Sequence, residues 1–511
     1  MAGSRTREVA RVLVQLAGAE VVGVAGFRPK HRDEPLDRQL QRAKRVRRAL
    51  ETLGPFYVKV GQMLSTRPDM IPPIMIEELE NLHDKVAVAP FADFEPVLAE
   101  DLGANWRSMF KQIDTEKPLG AASLAQVYRV TLKNGRDAVV KIQRPGIKTM
   151  MLEDMKMLRR VARRVGKMAP DFNAVIDIEA MLSIIFGAME PELDFTLEAQ
   201  NMEDAGEACE EFEHLTVPEV IFATPRVLIQ SMAPGKSIAM VDREEFSEEE
   251  RKAIGRDLFA FLFQGYFVER MFHADPHPGN IFVAPGEKAT IIDWGMVGRL
   301  DRRISMIILL VFLNMAQTDG PGVAKAWIEL GRATARADIQ AFSNDLSAFI
   351  PKVVGASMDN LNFGVTLSML LQFATKRGIQ TNPIAAIMGK SFANLEGSVR
   401  CLAPELRLID VFEDEVKGIL MNLVQETLSP ENAARAAMEQ MIAVSTAPEQ
   451  ARTILRDLSN REFVFQVGSF EGKRSCSQDR ADQRARAMRR TLLGVVGAAI
   501  LYDRTRRLRI Q

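Results

Sequence analysis

The spacing of apolar positions changes along the chain, and the changes divide it. Asp37–Leu53 has helical spacing with a strongly basic face. Phe56–Ser65 keeps that spacing until Arg67-Pro68 and Ile71-Pro72-Pro73 interrupt it. Ile74–Asp84 resumes the helical pattern, and Pro90 to about Asp114 reads as a shorter helical piece and connection. Near Lys117 the period shortens. Val127–Leu132 alternates, Asn134-Gly135 is a hairpin turn, and Asp137–Ile142 is a second strand, ended by Pro145-Gly146. Ile147–Met168 and Ile176–Met202 return to helical spacing. Val217–Pro218 and Arg226–Met232 read as strands, the latter closed by Pro234-Gly235. Phe246–Arg270 is a helix, Asp275–Phe282 a loop and Ala289–Ile292 a short strand, and everything from about Arg302 to Arg461 reads as helices.

This order predicts an α+β protein: a helical extension over 1–110, a small strand-rich lobe over 111–235, a helical lobe over 236–430 and a helical end with a basic tail over 431–511. A strand-rich lobe followed by a helix-rich one, joined by a strand near residue 230, is the layout of a two-lobed protein-kinase-like fold. The 511 residues are too many for one ordinary core, and 47% apolar with 26% charged residues is a globular balance. The formal net charge of −1 gives no basis for a nucleic-acid partner. It hides a basic end: Lys473–Gln511 has 11 Lys/Arg against three Asp, which suits either an anionic membrane surface or a solvated tail. The three cysteines lie far apart without CxxC spacing, so neither zinc nor a disulfide framework is expected and a reducing cytoplasm fits. Val12–Phe27 contains Gln15 and Glu20 and has no small-residue cleavage site, so it reads as an amphipathic helix rather than a signal peptide. Leu492–Tyr502, flanked by arginines, would cover only about 16–17 Å as a helix, at ~1.5 Å per residue. Against a hydrocarbon core of ~30 Å, it is expected to lie at an interface or pair through Gly494 and Gly497 rather than span.

The chemistry gathers in His273-Ala274-Asp275-Pro276-His277-Pro278-Gly279-Asn280 and Asp293-Trp294-Gly295. Magnesium takes oxygen ligands, usually one or two carboxylates plus substrate phosphates. A kinase supplies an Asp to orient the acceptor, an Asn five residues later and a second Asp after an apolar strand. Asp275, Asn280 and Asp293 have those positions, with Asn280 and Asp293 as the magnesium pair and Gly295 expected to let the backbone turn away. His273 is expected to buttress the loop. Upstream, Gly120-Ala121-Ala122-Ser123-Leu124-Ala125-Gln126-Val127 follows the pattern of a phosphate-covering loop. Alanines replace two glycines, at 122 and 125, so close approach to phosphate should differ. Gly120, Ala121, Ala122, Ser123, Ala125 and Val127 are the candidate nucleotide contacts there. Lys141 ends the apolar Ala138-Val139-Val140 run and is placed to hold phosphates. Glu198 is expected to pair with it from the next helices, sharing a helix face with Asn201. Ser231 and Met232 fall where the lobes join and are candidate adenine contacts through their backbone.

Together these residues resemble the UbiB/ADCK family of atypical kinases over roughly residues 40–420. The most specific part is Leu53-Gly54-Pro55-Phe56-Tyr57-Val58-Lys59-Val60-Gly61-Gln62, similar to the family's KxGQ signature, alongside the alanine-rich loop, Glu192/Asp194, the 273–280 loop and Asp-Trp-Gly. The resemblance implies a lid of KxGQ helices over the nucleotide cleft, with Lys59 and Gln62 reaching the site and Glu192 close to Lys59. It also implies ATP and Mg2+ as cofactors, weak or absent protein kinase activity, and a link to isoprenoid quinone synthesis at membranes. Relatives often have an acidic then an aromatic residue where Ser231-Met232 stand, and many end in two membrane helices, for which Leu492–Tyr502 is too short.

The leading expectation is an ATP-binding, magnesium-dependent kinase or ATPase supporting quinone or lipid metabolism at a membrane surface. Its partners would be ATP, a lipid or isoprenoid-quinone precursor and anionic lipid; a homodimer is compatible with it. Two other classes remain. A small-molecule phosphotransferase would phosphorylate a soluble alcohol with Lys59 dispensable. A nucleotide-gated scaffold would bind ATP without turnover.

Overall fold

The computed structural model describes residues 9, 12, 36–65, 71–82, 88–168, 178–334, 337–355 and 363–428. The chain divides into two units, Met1–Ala162 with Ile178–Lys417, and Arg163–Asp177 with Gly418–Gln511. The described residues of the second unit, 163–168 and 418–428, are helical. Apart from Val12, the expected helix Val12–Phe27 lies outside the described residues, as do Leu492–Tyr502 and the basic tail. No described helix is long and apolar enough to cross a membrane.

The extension begins with α1 (Leu36–Leu53), α2 (Pro55–Ser65) and α3 (Pro73–Glu80). Gly54, at φ +95, breaks α1 from α2, and Pro55 starts the new helix because its missing N–H costs nothing there. The helix expected over Ile74–Asp84 stops at Glu80, where Asn81 caps it through its N–H. Arg47 of α1 reaches Glu78 of α3 at 3.0 Å. α2 buries Phe56, Tyr57 and Val60 in a cluster with Leu124, Ile147, Met151, Phe186 and Met189, so the extension packs directly on the strand-rich lobe.

After α4 (Glu95–Leu102), that lobe is an antiparallel sheet in the order β1 (Phe110–Ile113), β3 (Ala125–Leu132), β4 (Asp137–Gln143), β7 (Val227–Ser231), β6 (Val220–Ala223), with β2 (Gly120–Ala121) paired to β3. β1 falls where a helical connection was expected; four residues are too few for alternation to declare itself. Asn134-Gly135 closes the β3–β4 hairpin as expected, with Gly135 at φ +85. The strand expected at Val217–Pro218 is instead the gap between β5 (Leu215–Thr216) and β6, since Pro218 has no N–H for a ladder.

α5 (Ile147–Met168) and α6 (Ile178–Met189) follow β4. The helix expected over Ile176–Met202 is broken: a 3-10 turn at Pro191–Leu193 separates α6 from α7 (Phe195–Cys209). Asp194 is extended and accepts a hydrogen bond from the Thr196 N–H, so it starts a new helix instead of continuing the old one.

Past β8 (Lys236–Ser237), the helical lobe is built on α8 (Glu248–Phe267), capped by Ser247 with three glutamates in its first turn. Four short strands shape the loops beside it: β9 (Met271–His273), β10 (Ile281–Val283), β11 (Ala289–Ile291) and β12 (Val297–Arg299). β9 pairs β12, and β10 lies between β11 and β8, so the end of the expected loop, Ile281-Phe282, is instead the start of an inner strand. Then come α9 (Arg302–Ala316), α10 (Gly320–Leu330), α11 (Ile339–Gly355), α12 (Phe363–Lys376), α13 (Pro383–Leu402) and α14 (Leu408–Leu428). Phe263 and Tyr266 of α8 meet Phe392 of α13 with ring centres 6.1 and 6.2 Å apart. The Tyr266 hydroxyl donates to the Met388 carbonyl, which fixes α13 against the lobe's central helix. α12 lies close on α13 because Gly364 has no side chain: a Cβ there would meet Ala393 Cβ at 2.2 Å and its backbone at 2.6 Å. Gly364→Val should therefore cost about 1–3 kcal/mol by overpacking, read as a lowered urea midpoint at unchanged m-value.

Candidate active site

Lys141 stands on β4, between β3 and β7, opposite Val127 and Leu228. Its neighbours Val140 and Ile142 are buried on the other face, so strand alternation alone sends its side chain toward α7. Glu198, in the first turn of α7, receives it with both oxygens, at 2.7 and 2.9 Å. The Nζ also lies 3.0 Å from Asp293 Oδ1. Burial alone would pull the ammonium down, but Asp293 and Glu198 together hold it above its usual range. Burial pushes the Glu198 carboxyl up, to about 7, against the attraction of Lys141. Lys141 holds Asp293 far below the usual carboxylate range, with a smaller contribution from Lys59.

Asp293 follows β11 and has φ +62. The turn expected of Gly295 is made by Asp293 itself, a short polar residue that tolerates the left-handed region. Trp294 is fully buried, donates its indole N–H to Ile291, and offers its carbonyl to Asn201 at 3.1 Å. Glu198 and Asn201, one turn apart, thus hold Lys141 and the Asp-Trp-Gly backbone from a single helix face.

The 273–280 loop is tied internally. His273 is buried; its Nδ1 accepts from the Asp275 N–H at 3.1 Å and its Nε2 faces the Ile292 carbonyl at 3.1 Å. Those partners put the ring proton on Nε2, and burial keeps the imidazole neutral by lowering its pKa. It buttresses the loop. His277 Nδ1 accepts from the Gly279 N–H. Asn280 Nδ2 donates to the Asp275 carbonyl at 3.1 Å, leaving Oδ1 as the end available to a cation. With half-exposed Asp293, this is an oxygen pair of the kind magnesium takes when phosphates complete its shell. No group of three or more His, Cys, Asp or Glu that could hold a metal occurs among the described residues.

Asp275 has partners that sequence reasoning missed. Lys390 Nζ lies 3.1 Å from its Oδ2, and Asn394 Nδ2 lies 2.5 Å from its Oδ1. Burial would raise its pKa, but Lys390 and then His277 bring it below the usual value. Ser391 and Ser398, both fully buried on the same helix, donate to the carbonyls of His273 and Pro276. Buried hydroxyls on the core face of α13 were the available signal, since such groups need partners.

The extension brings Lys59 to Glu192 at 2.8 Å, both side chains largely buried. Gln62, one turn on, donates to the Leu82 carbonyl at 3.2 Å and so ties α2 to the end of α3. Asp194 caps α7. The alanine-rich loop is a tight turn in which the Ala122 N–H donates to Ala125, while Arg144 donates to the carbonyls of Ala122 and Leu124. Gly120 and Ala121 form β2 opposite Val127 and Gln126, and Ser123 is buried. Ser231 spends its N–H on the Glu219 carbonyl and ends β7; half-buried Met232 follows. Glu198→Ala should cost about 3 kcal/mol in urea unfolding, at the low end for breaking a buried pair because Asp293 still meets the lysine.

A model of the ABC1 atypical kinase-like domain matches residues 81–327. The chain is 30% identical over 473 residues to a protein of Cellvibrio japonicus named "Probable protein kinase UbiB", covering 91% of this chain and 85% of that one. It is 29% identical over 414 residues to "Uncharacterized protein slr0889" of Synechocystis, covering 78% of this chain and 98% of that one. A solved structure of Rv3197 from Mycobacterium tuberculosis, titled as a complex with erythromycin, superposes with a TM-score of 0.50 at 22% identity, over 70% of this chain and 91% of that one; at that identity it shows the fold alone. The chain belongs to the ABC1/UbiB family of atypical kinase-like proteins and has the two-lobed protein-kinase-like fold.

Proposed function

We propose that this protein binds ATP with magnesium and hydrolyses it, or transfers its phosphoryl group, in support of isoprenoid quinone or lipid metabolism at a membrane surface. The carrying observation is the contact of Lys141 with Glu198 and Asp293, three residues from three elements drawn to one point. When bound, magnesium supplies neutralising charge for phosphate oxygens. Asn280 and Asp293 would hold it. Lys141, kept cationic and aimed by Glu198, holds the phosphates of the nucleotide. Asp275 orients the attacking hydroxyl or water. Gly120–Val127 and the backbone at Ser231-Met232 line the nucleotide's place. Lys59, Gln62 and Glu192 belong to the cover. The reading that this helix, seated by a hydrophobic cluster and tied through Lys59 to Glu192, covers the cleft favours water or a small lipid head group over a protein substrate. The basic tail is the part we assign to anionic lipid.

The full-length protein should turn over ATP with magnesium, and more rapidly when anionic vesicles and a phenolic lipid precursor are added. Asp293→Asn should reduce turnover on the order of 10²-fold or more, as expected for removing a charge aimed at the reacting phosphoryl. Undiminished hydrolysis by that variant would overturn the assignment.

A further inference from the structure

We propose that Lys390 and Asn394 of α13 are positioning residues that fix the Asp275 carboxylate for the attacking group; the inference rests on the phosphoryl-transfer reading above. Lys390 binds one oxygen of Asp275, at 3.1 Å, and Asn394 the other, at 2.5 Å. The two are i,i+4 and share a helix face. A carboxylate held at one oxygen still turns about its Cβ–Cγ bond. Held at both, it keeps one plane. Each carboxylate oxygen can accept two hydrogen bonds, so beside Lys390 and Asn394 each keeps a lone pair for an acceptor hydroxyl or water.

The same helix holds the backbone around Asp275. Ser391 Oγ donates to the His273 carbonyl at 2.7 Å and Ser398 Oγ to the Pro276 carbonyl at 2.9 Å. Side chain and main chain therefore take their position from one rigid element. That element is itself fixed by Tyr266 through the Met388 carbonyl and by the close approach of α12 at Gly364. The loop brings no lysine or arginine of its own: residues 273–280 contain neither. Lys141 is engaged by Glu198 and Asp293 on the other side. Lys390 is thus the ammonium bonded to Asp275, supplied from 115 residues downstream. A group set in place by preorganised partners loses rate when they go, even if nucleotide binding is untouched.

The test uses the full chain with ATP and magnesium, and measures kcat, KM for ATP, ADP affinity and thermal midpoint. Lys390→Ala should lower kcat on the order of 10²-fold, as a misplaced reacting group does. KM and ADP affinity should stay within about threefold, since the loss falls on the transition state. Lys390→Arg should recover much of the rate, and Asn394→Ala should fall in the same direction as Lys390→Ala. In an Asp275→Ala background, adding Lys390→Ala should cost nothing further, because residues acting as one unit are not additive. A further loss in that background would assign Lys390 to general stability and overturn the proposal. So would wild-type kcat in Lys390→Ala or Asn394→Ala while Asp293→Asn is inactive, and the functional reading would then stand. No turnover by the unsubstituted protein, or full turnover by Asp293→Asn, overturns both. If Lys390→Ala does not fold, Asn394→Ala carries the comparison.

Discussion

A lysine ammonium taken out of water needs anionic partners, and Lys141 has two, from parts of the chain that share no local structure. Glu198 comes from the helix after a 3-10 turn, and Asp293 from the loop after β11. Removing either leaves a buried charge less well met, so α7, the central strand and the Asp-Trp-Gly loop hold one another in register. Asn201 extends the same lock, joining α7 to Trp294 through its carbonyl and to Arg299 at 3.1 Å. The two lobes are thereby joined through one polar cluster, in which nearly every member has a partner of opposite charge or a hydrogen bond.

Around this cluster, the loop of Asp275 is held from two sides by different means. Within the loop, neutral His273 bridges the Asp275 N–H and the Ile292 carbonyl while stacking edge-on against Trp294, with ring centres 4.8 Å apart. From outside, α13 grips the carboxylate and two neighbouring carbonyls. The first arrangement is local and follows from a few adjacent residues. The second depends on the packing of the whole helical lobe, because α13 reaches the loop only if α8 and α12 seat it correctly. A change in that core far from the cleft is thus coupled to the geometry of Asp275.

The extension reaches the site by hydrophobic packing. Phe56, Tyr57 and Val60 anchor α2 on α5, α6 and Leu124, and this turns Lys59 toward Glu192. The two polar residues of the signature then part company: Lys59 makes an ion pair with Glu192, and Gln62 secures the extension's own helices through Leu82. Likewise Glu192 meets the extension while Asp194 starts α7. Two paired motifs each combine one residue of the Lys59–Glu192 contact with one that supports the local fold.

The motifs were legible because their constraints are local. An Asp and an Asn five residues apart, a strand before Asp293, a lysine closing an apolar run and a glutamate one turn from an asparagine are patterns within a dozen residues. They were enough to propose Asp275, Asn280, Asp293, Lys141 and Glu198 as site residues, and the Lys141–Glu198 contact formed as expected. The hairpin at Asn134-Gly135 was legible for the same reason. What the sequence did not show involved long separations or short elements. The four-residue strand β1 has too little alternation to read, and the break at Pro191–Leu193 sits inside an otherwise helical spacing. Lys390 and Asn394 look like polar punctuation on an apolar helix until folding brings them onto a partner 115 and 119 residues away in the chain. The sequence alone determined which chemical groups this protein carries and the local frame of each. Only the tertiary structure decided which groups meet, because a buried charge selects its partner by where packing delivers it, and packing is a property of the whole chain.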